Sequence, residues 1–273
     1  MQEFLLPALL LWGFFAGFMG GLLGIGGGLI FVLVSPEAAA QMGVLPENLV
    51  SVTIANSLAC TFFTTFAAGI RRFSSDELVR KASLWMGISS TIVSVLVLHY
   101  VVNPGLLSPF YFHYFFLSVL VFLMIRLFFR WRKKDEEVIS RPQESAPAML
   151  LTGVFSGVVS PLSGLGGGIV VVPVLHAMLH FPISKAQGVS FGVIAISTLI
   201  SSVFNLFETI QLPFGVPAFG LLIFPVMLSL APTAMLGSLA GSALSQKLPT
   251  RWSSGILMLF LLFVLLKKVL NPL

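Results

Sequence analysis

The sequence predicts an all-α membrane protein built from two internal repeats. Its composition indicates a membrane environment, because hydrophobic residues make up 57% of the 273 residues and charged residues only 9%, whereas a soluble domain carries about 25% charge. Several apolar runs are close to the roughly 20 residues that cross a bilayer as a helix. A glycine-rich pattern near the start of the chain also returns 140 residues later, which is typical of secondary transporters with internal repeats.

The repeated pattern is a cluster of glycines inside an apolar run. The first copy reads Gly24-Ile25-Gly26-Gly27-Gly28 and the second Gly164-Leu165-Gly166-Gly167-Gly168. Glycine inside a helix costs about 1 kcal/mol relative to alanine, so four glycines within five residues predict that each helix breaks here and begins again. Close helix packing is the alternative role for such glycines. We expect that role for the two earlier pairs, Gly13 with Gly17 and Gly153 with Gly157.

The first repeat, residues 1–130, is predicted to contain a glycine-broken helix or hairpin followed by three transmembrane helices. The two apolar runs around the break are Phe4–Gly21 and Gly28–Val34. The three spans that follow are Leu49–Ile70, Ala82–Val102 and Phe110–Phe129. Polar residues between these runs predict loops at Ser35–Asn48, Arg71–Lys81 and Asn103–Pro109.

The second repeat, residues 148–273, is predicted to follow the same plan after a charged cytoplasmic linker at residues 131–147. Its broken element comprises Ala148–Ser163 and Gly167–Leu179. Its three spans are Gly188–Phe207, Pro217–Leu244 and Trp252–Leu266, with a loop at Glu208–Val216. The helices after the two breaks also match weakly, since Val52-Thr53 aligns with Val189-Ser190 when three residues are deleted.

The distribution of Lys and Arg indicates which segments face the cytoplasm. Four basic residues lie in residues 71–81 and five more in residues 130–141, and two spans separate these segments, so both can be cytoplasmic. The charge distribution does not decide whether each broken element crosses the membrane or turns back as a hairpin. We favour hairpins, because the two halves then have opposite orientations, as inverted repeats, and both breaks can meet at mid-membrane.

The doubled glycine signature resembles the sulfite exporter TauE/SafE family of membrane transporters, and the resemblance covers nearly the whole chain. The second copy also carries the Pro173 that tends to follow the apolar run in such proteins, whereas the first copy has Leu33 there. The resemblance implies a secondary transporter that exports sulfite or an organosulfonate such as sulfoacetate. We expect a multi-pass protein of the bacterial plasma (inner) membrane.

The residues themselves favour an anionic substrate. The first amides of a helix have no internal partner and carry partial positive charge, so two facing helix starts can bind an anion without a formal cation. Asp and Glu are absent from every predicted span core, whereas a cation pump is expected to show an intramembrane carboxylate. Export of an anion down the membrane potential releases about 2.3 kcal/mol per charge per 100 mV and needs no such carboxylate.

The predicted substrate site joins the glycines of both breaks with nearby neutral polar side chains. Ser160 and Ser163 lie beside the second break. An amide in mid-span is costly without a partner, which makes Asn56 informative, although a bond to a neighbouring helix would also satisfy it. Hydroxyl groups can likewise bond their own helix. The predicted substrate-binding residues are Gly26, Gly27, Gly28, Gly166, Gly167, Gly168, Ser163, Thr53, Asn56 and Ser190.

Other functions remain as alternatives. An anion channel, or a permease for a different small oxyanion or carboxylate, would use the same features. His176 and His180 are four residues apart, as in a metal-binding helix, but Ala177 stands where a metalloprotease has glutamate. We therefore expect no enzymatic activity, no metal and no cofactor. The expected partners are a small anionic substrate and the lipid bilayer, with a homodimer left open and no nucleic acid.

Overall fold

The computed structural model describes residues 2–132, 145–208 and 217–245, together with 247, 255, 258–262 and 264–266. The helices of the first half are α1 (Gln2–Leu23), α2 (Gly28–Gln41), α3 (Leu49–Ser75), α4 (Glu77–Val97) and α5 (Pro109–Arg132). Those of the second half are α6 (Ala146–Ser163), α7 (Gly168–Ala177), α8 (Ile183–Phe207) and α9 (Phe224–Ser245). Residues 258–262 and 264–266 are also helical. The rest of the last predicted span, most of the linker and the loop at 209–216 lie outside the described residues.

The helices have the length and surface of membrane spans. In the described part of the chain, six helical segments are long and apolar enough to cross a bilayer: Pro46–Ile70, Glu77–Val102, Pro109–Phe129, Ala146–Ser163, Ile183–Phe207 and Phe224–Ser245. Large apolar side chains also cover the outside of the protein, as on one face of α4, where Trp85, Ile88 and Ile92 are each more than half exposed. Such a surface requires lipid around it. The protein is therefore an all-α, multi-pass integral membrane protein.

The charged segment predicted as a loop at 71–81 is helical almost throughout. α3 continues to Ser75 and α4 begins at Glu77, which leaves only Asp76 between them. The Asp76 carboxylate accepts hydrogen bonds from the amides of Leu78 at 3.0 Å and Val79 at 3.4 Å. Because this side chain caps the first turn of α4, the chain can reverse without a longer loop.

Two other predicted boundaries are also corrected. α2 continues through Pro36 to Gln41, into the predicted loop at 35–48, because the alanines after Pro36 are strong helix formers. The predicted span Pro217–Leu244 begins instead with a short hairpin of β1 (Ala218–Phe219) and β2 (Leu222–Ile223), and α9 starts only at Phe224. The hairpin turns at Gly220, whose φ of +58° favours glycine.

The early glycine pairs pack helices of opposite halves against each other. A Cβ atom on Gly13 of α1 would lie 2.6 Å from the carbonyl oxygen of Leu230 in α9. One on Gly153 of α6 would lie 2.5 Å from the carbonyl oxygen of Met86 in α4. Gly17 and Gly157, one turn later, approach the same two helices equally closely. The prediction that these glycines serve close packing is confirmed.

α4 and α8 run parallel, with polar contacts along their length. At their starts, Asp76 Oδ2 lies 2.9 Å from Lys185 Nζ. Ser94 Oγ lies 3.1 Å from Ser201 Oγ toward the ends of the two helices. Lys185 therefore lies at the same end of the protein as the basic segment 71–81.

Candidate functional site

The first glycine cluster ends α1 and reverses the chain. Gly24 and Gly26 have φ values of +77° and +76°, which L-residues other than glycine adopt only with strain. A Cβ atom on Gly27 would lie 3.1 Å from the carbonyl oxygen of Ala16. Eleven residues of continuous helix would separate these positions by about 16 Å. The chain therefore folds back on α1 before α2 begins at Gly28.

The second cluster repeats this reversal with one difference. Gly164 and Gly166 have φ values of +70° and +81°, and Gly167 is also left-handed at +77°, whereas Gly27 has a φ of −82°. A Cβ atom on Gly167 would lie 2.7 Å from the carbonyl oxygen of Ser156. At both breaks the chain thus turns back on the preceding helix.

The two breaks pack directly against each other. A Cβ atom on Gly28 would lie 2.7 Å from Leu165 Cα, and one on Gly168 would lie 3.0 Å from Ile25 Cα. Gly28 corresponds to Gly168 and Ile25 to Leu165, so exchanging the halves turns one contact into the other. The two helix starts that the sequence singled out are therefore neighbours in space.

The long helices α3 and α8 hold the breaks together by hydrogen bonds to carbonyl groups. Ser57 Oγ of α3 donates to Gly164 O at 2.7 Å, and Ser190 Oγ of α8 donates to Gly24 O at 2.7 Å. Ser57, which the sequence did not single out, is therefore the counterpart of Ser190. The predicted match of Thr53 with Ser190 is wrong by one helical turn. Once the two breaks are aligned, seven residues rather than three must be deleted to align α3 with α8.

The breaks lie near the middle of these two spans. Thr61 and Ile194 flank both Gly26 and Gly166, and each is close to the centre of its span, Pro46–Ile70 or Ile183–Phe207. In the middle of a membrane span, a backbone group can form a hydrogen bond to water only where a cavity admits water.

Asn56 binds the β1–β2 hairpin that precedes α9, and its amide group has no donor left for a ligand. Its Nδ2 atom donates to Val52 O at 2.8 Å and to Leu221 O at 3.1 Å. Its Oδ1 atom accepts from the amide of Ile223 at 3.0 Å. These bonds position the chain, and a substrate contact by Asn56 would require one of them to break.

The remaining predicted side chains differ in what their hydroxyl groups do. Ser163 Oγ donates to Val159 O at 2.6 Å and accepts from the amide of Leu165 at 3.2 Å, so it supports the second break locally. The hydroxyls of Thr53 and Ser160 are buried and have no hydrogen-bond partner among the described residues. Unlike Ser163, these two groups can accept a ligand without breaking an existing bond.

The backbone amides at the two helix starts are also unpaired. In the part of the chain that the structure describes, these six amides donate no hydrogen bond. Their residues are fully enclosed by protein, where an unpaired amide is unfavourable. An anion placed between the breaks would supply acceptors for them. The six residues are Gly26, Gly27, Gly28, Gly166, Gly167 and Gly168.

The packing beside the first break is tight. A cavity bordered by Ala16, Gly20, Gly27 and Phe260 has a volume of about 10 Å³, which is roughly the space for one water molecule. A substrate with several heavy atoms does not fit there. The two breaks also touch each other directly, so a substrate bound between them would have to separate them.

Comparison with known proteins agrees with this architecture. The model of the family described as sulfite exporter TauE/SafE matches residues 9–268. A probable membrane transporter protein of Methanocaldococcus jannaschii is 29% identical over 199 residues, covering 71% of this chain and 70% of the relative. One of Haemophilus influenzae is 26% identical over 276 residues, covering 99% and 100%. The probable membrane transporter protein YunE of Bacillus subtilis is 23% identical over 92% and 93%. The chain therefore belongs to the sulfite exporter TauE/SafE family and is a membrane transporter rather than an enzyme.

Proposed function

We propose that the protein is a secondary transporter that exports small anions, with sulfite or an organosulfonate such as sulfoacetate as cargo. The observation that carries the proposal is the pair of glycine breaks, which contact each other near the middle of two spans and whose amides have no acceptor among the described residues. The family description, sulfite exporter, supports the choice of a sulfur oxyanion. A carboxylate or another oxyanion offers similar acceptor atoms and would compete for the same groups.

The proposed site binds by neutral donors alone. Amides and hydroxyls donating to a charged acceptor contribute about 1.5 to 3 kcal/mol each. Three or four such bonds, less the cost of desolvation and ordering, correspond to micromolar or millimolar affinity. A carrier needs binding of this strength, because the substrate must also leave.

The two halves are proposed to be inverted repeats related by a pseudo-two-fold axis in the membrane plane. The reciprocal contacts of the breaks and of the early glycines support this relation, as does the antiparallel course of α3 and α8. For example, Gly69, two turns after Thr61 in α3, packs on Phe191, one turn before Ile194 in α8. Opening one side while closing the other would then expose the breaks alternately.

We expect the basic segment 71–81 to face the cytoplasm. Because one span, α3, separates this segment from the first hairpin, the N-terminus should then lie outside the cytoplasm. A cysteine introduced at Gln2, in a chain whose Cys60 is replaced by alanine, should react with an impermeant thiol reagent in intact cells. A cysteine at Glu77 should react only after the cytoplasmic face is opened. The reverse pattern would contradict the proposed orientation.

Transport can be tested with proteoliposomes loaded with sulfite. We expect efflux that saturates with the internal sulfite concentration and is inhibited by methanesulfonate. Gly27→Ala should strongly reduce it, because the added methyl group would press on the Phe31 ring and on Ala16 O and so displace the Gly27 amide, while the φ of −82° tolerates alanine. The control is Gly105→Ala, in the turn before α5, where φ is +78° and an added Cβ meets nothing within 4 Å. It should lose some stability through its backbone strain but keep full efflux.

Two outcomes would contradict the proposal. Efflux that rises linearly with concentration would indicate a channel instead of a carrier. Efflux and methanesulfonate binding that are unchanged in Gly27→Ala would show that the breaks are not the substrate site.

A further inference from the structure

Thr61 is the polar side chain that touches the corresponding glycine of both breaks. Its Cγ2 atom would lie 2.9 Å from a Cβ atom on Gly26 and also 2.9 Å from one on Gly166. The residue is completely buried. Its counterpart on α8 is Ile194, which contacts the same two glycines. The centre of the proposed site is therefore lined by one hydroxyl-bearing and one purely apolar side chain.

The Thr61 hydroxyl has no hydrogen-bond partner in the described part of the chain. A helical threonine normally satisfies its hydroxyl on its own helix, and its neighbours do so. Thr65 Oγ1 donates to Thr61 O at 2.7 Å, and Thr198 Oγ1 donates to Ile194 O at 2.6 Å. A buried hydroxyl without a partner is destabilising, so packing alone would favour valine at position 61.

We propose that the Thr61 hydroxyl binds the substrate and determines its specificity, by donating a hydrogen bond to an oxygen of the anion held between the breaks. This inference rests on the proposed function. When the breaks separate, the space that opens borders the Thr61 side chain, whose methyl group faces Gly26 and Gly166. A rotation about χ1, for which threonine in a helix has two favourable states, then turns the hydroxyl toward the anion. The hydroxyl adds a directional donor on the α3 side, while Ile194 offers none on the α8 side. An oxyanion is thereby favoured over a halide of the same charge.

The test is calorimetric binding of methanesulfonate to the purified full-length protein, with chloride as the competing halide. Thr61→Val keeps the shape and removes the hydroxyl. It should weaken methanesulfonate binding about tenfold, the equivalent of one hydrogen bond of about 1.4 kcal/mol. Chloride binding should change much less, because a halide depends less on a directional donor. The melting temperature should stay the same or rise, since no existing bond is lost.

Two further variants separate binding from packing. Thr61→Ser retains the hydroxyl and should bind methanesulfonate nearly as well as the unaltered protein. Thr198→Val is the matched control, because Thr198 Cγ2 would lie 3.7 Å from a Cβ atom on Gly166 but its hydroxyl is already bonded to its own helix. It should lose stability rather than affinity.

The outcomes distinguish this inference from the proposed function. Full binding by Thr61→Val together with weakened binding by Gly27→Ala would overturn the role of Thr61 and leave the breaks as the site. Full binding by both variants would overturn both proposals. A fall in melting temperature of Thr61→Val as large as that of Thr198→Val would assign Thr61 a packing role and overturn the inference.

Discussion

The two glycine breaks follow similar backbone paths, apart from the different φ angles of Gly27 and Gly167, and differ more in the helix that leads into them. At three positions before the first break the chain has apolar or small residues. At the equivalent positions before the second break, 140 residues later, it has serines. Both breaks keep their left-handed glycines, whereas the side chains beside them have diverged. This difference indicates that the chain reversal belongs to both halves and that hydroxyl donors are concentrated on the second. The paired positions are Ala16 with Ser156, Gly20 with Ser160 and Leu23 with Ser163.

The largest expected effect tests the backbone difference between the breaks. Gly167→Ala should destabilise the protein by about 2 to 4 kcal/mol, because alanine resists a φ of +77° and its Cβ would press on Ser156 O. Gly27→Ala should cost less, since its φ is −82° and the closest atom belongs to the Phe31 ring. Thermal unfolding in detergent measures both. Equal losses would show that the two breaks are strained alike.

A smaller effect separates the serines of the second break. Ser160→Ala should weaken methanesulfonate binding about tenfold without lowering the melting temperature, since the hydroxyl has no partner among the described residues. Ser163→Ala should instead cost about 1 kcal/mol of stability, because it removes the bond to the Leu165 amide. Calorimetry and thermal unfolding of both variants check this. If Ser160→Ala binds normally, the second break is no richer in ligand donors than the first.

The smallest expected effect concerns pH, since neither break carries an ionisable group. Binding of methanesulfonate, which stays ionised, should be constant between about pH 5 and 8, the window in which an ordinary histidine titrates. Outside the membrane, the hydrogen bond from Lys185 lowers the pKa of Asp76. Asp76 therefore stays charged throughout this window, and its contribution to stability is lost only as the pH falls through that lowered pKa. A pH-dependent affinity abolished by replacing a histidine would place a titrating group in the site.

The sequence predicted the parts of the fold that glycine and hydrophobicity determine. The two breaks, the packing glycines and the spans at 49–70, 110–129 and 188–207 were identified closely, because membrane helices need about 20 apolar residues and clustered glycines disfavour helix. The spans that were misplaced begin beside capping or turn residues. Asp76 and Gly220 are such residues, and hydrophobicity alone does not distinguish a helix cap or a tight turn from a longer loop.

The polar contacts of the site could not be derived in the same way. α3 and α8 are apolar on most faces, so no hydrophobic pattern fixes their register against the breaks. Ser57 and Thr53 are one turn apart on one helix and equally plausible from sequence. Only the structure shows that Ser57 is bonded and that Asn56 is occupied by the β1–β2 hairpin. It also shows that the hydroxyls of Thr61 and Ser160 find no partner in the part of the chain that it describes.

The packing of α1 on α9 has a consequence for how the protein is made. The glycine face of α1 contacts Leu230 and Ala234, which leave the ribosome more than 200 residues later. At about 5 to 20 residues per second, α1 waits roughly 10 to 40 seconds in the membrane before its partner exists. The insertion machinery or lipid must cover that face in the meantime. A chain truncated before α9 would leave it permanently uncovered, so such a fragment is a natural substrate for membrane quality control.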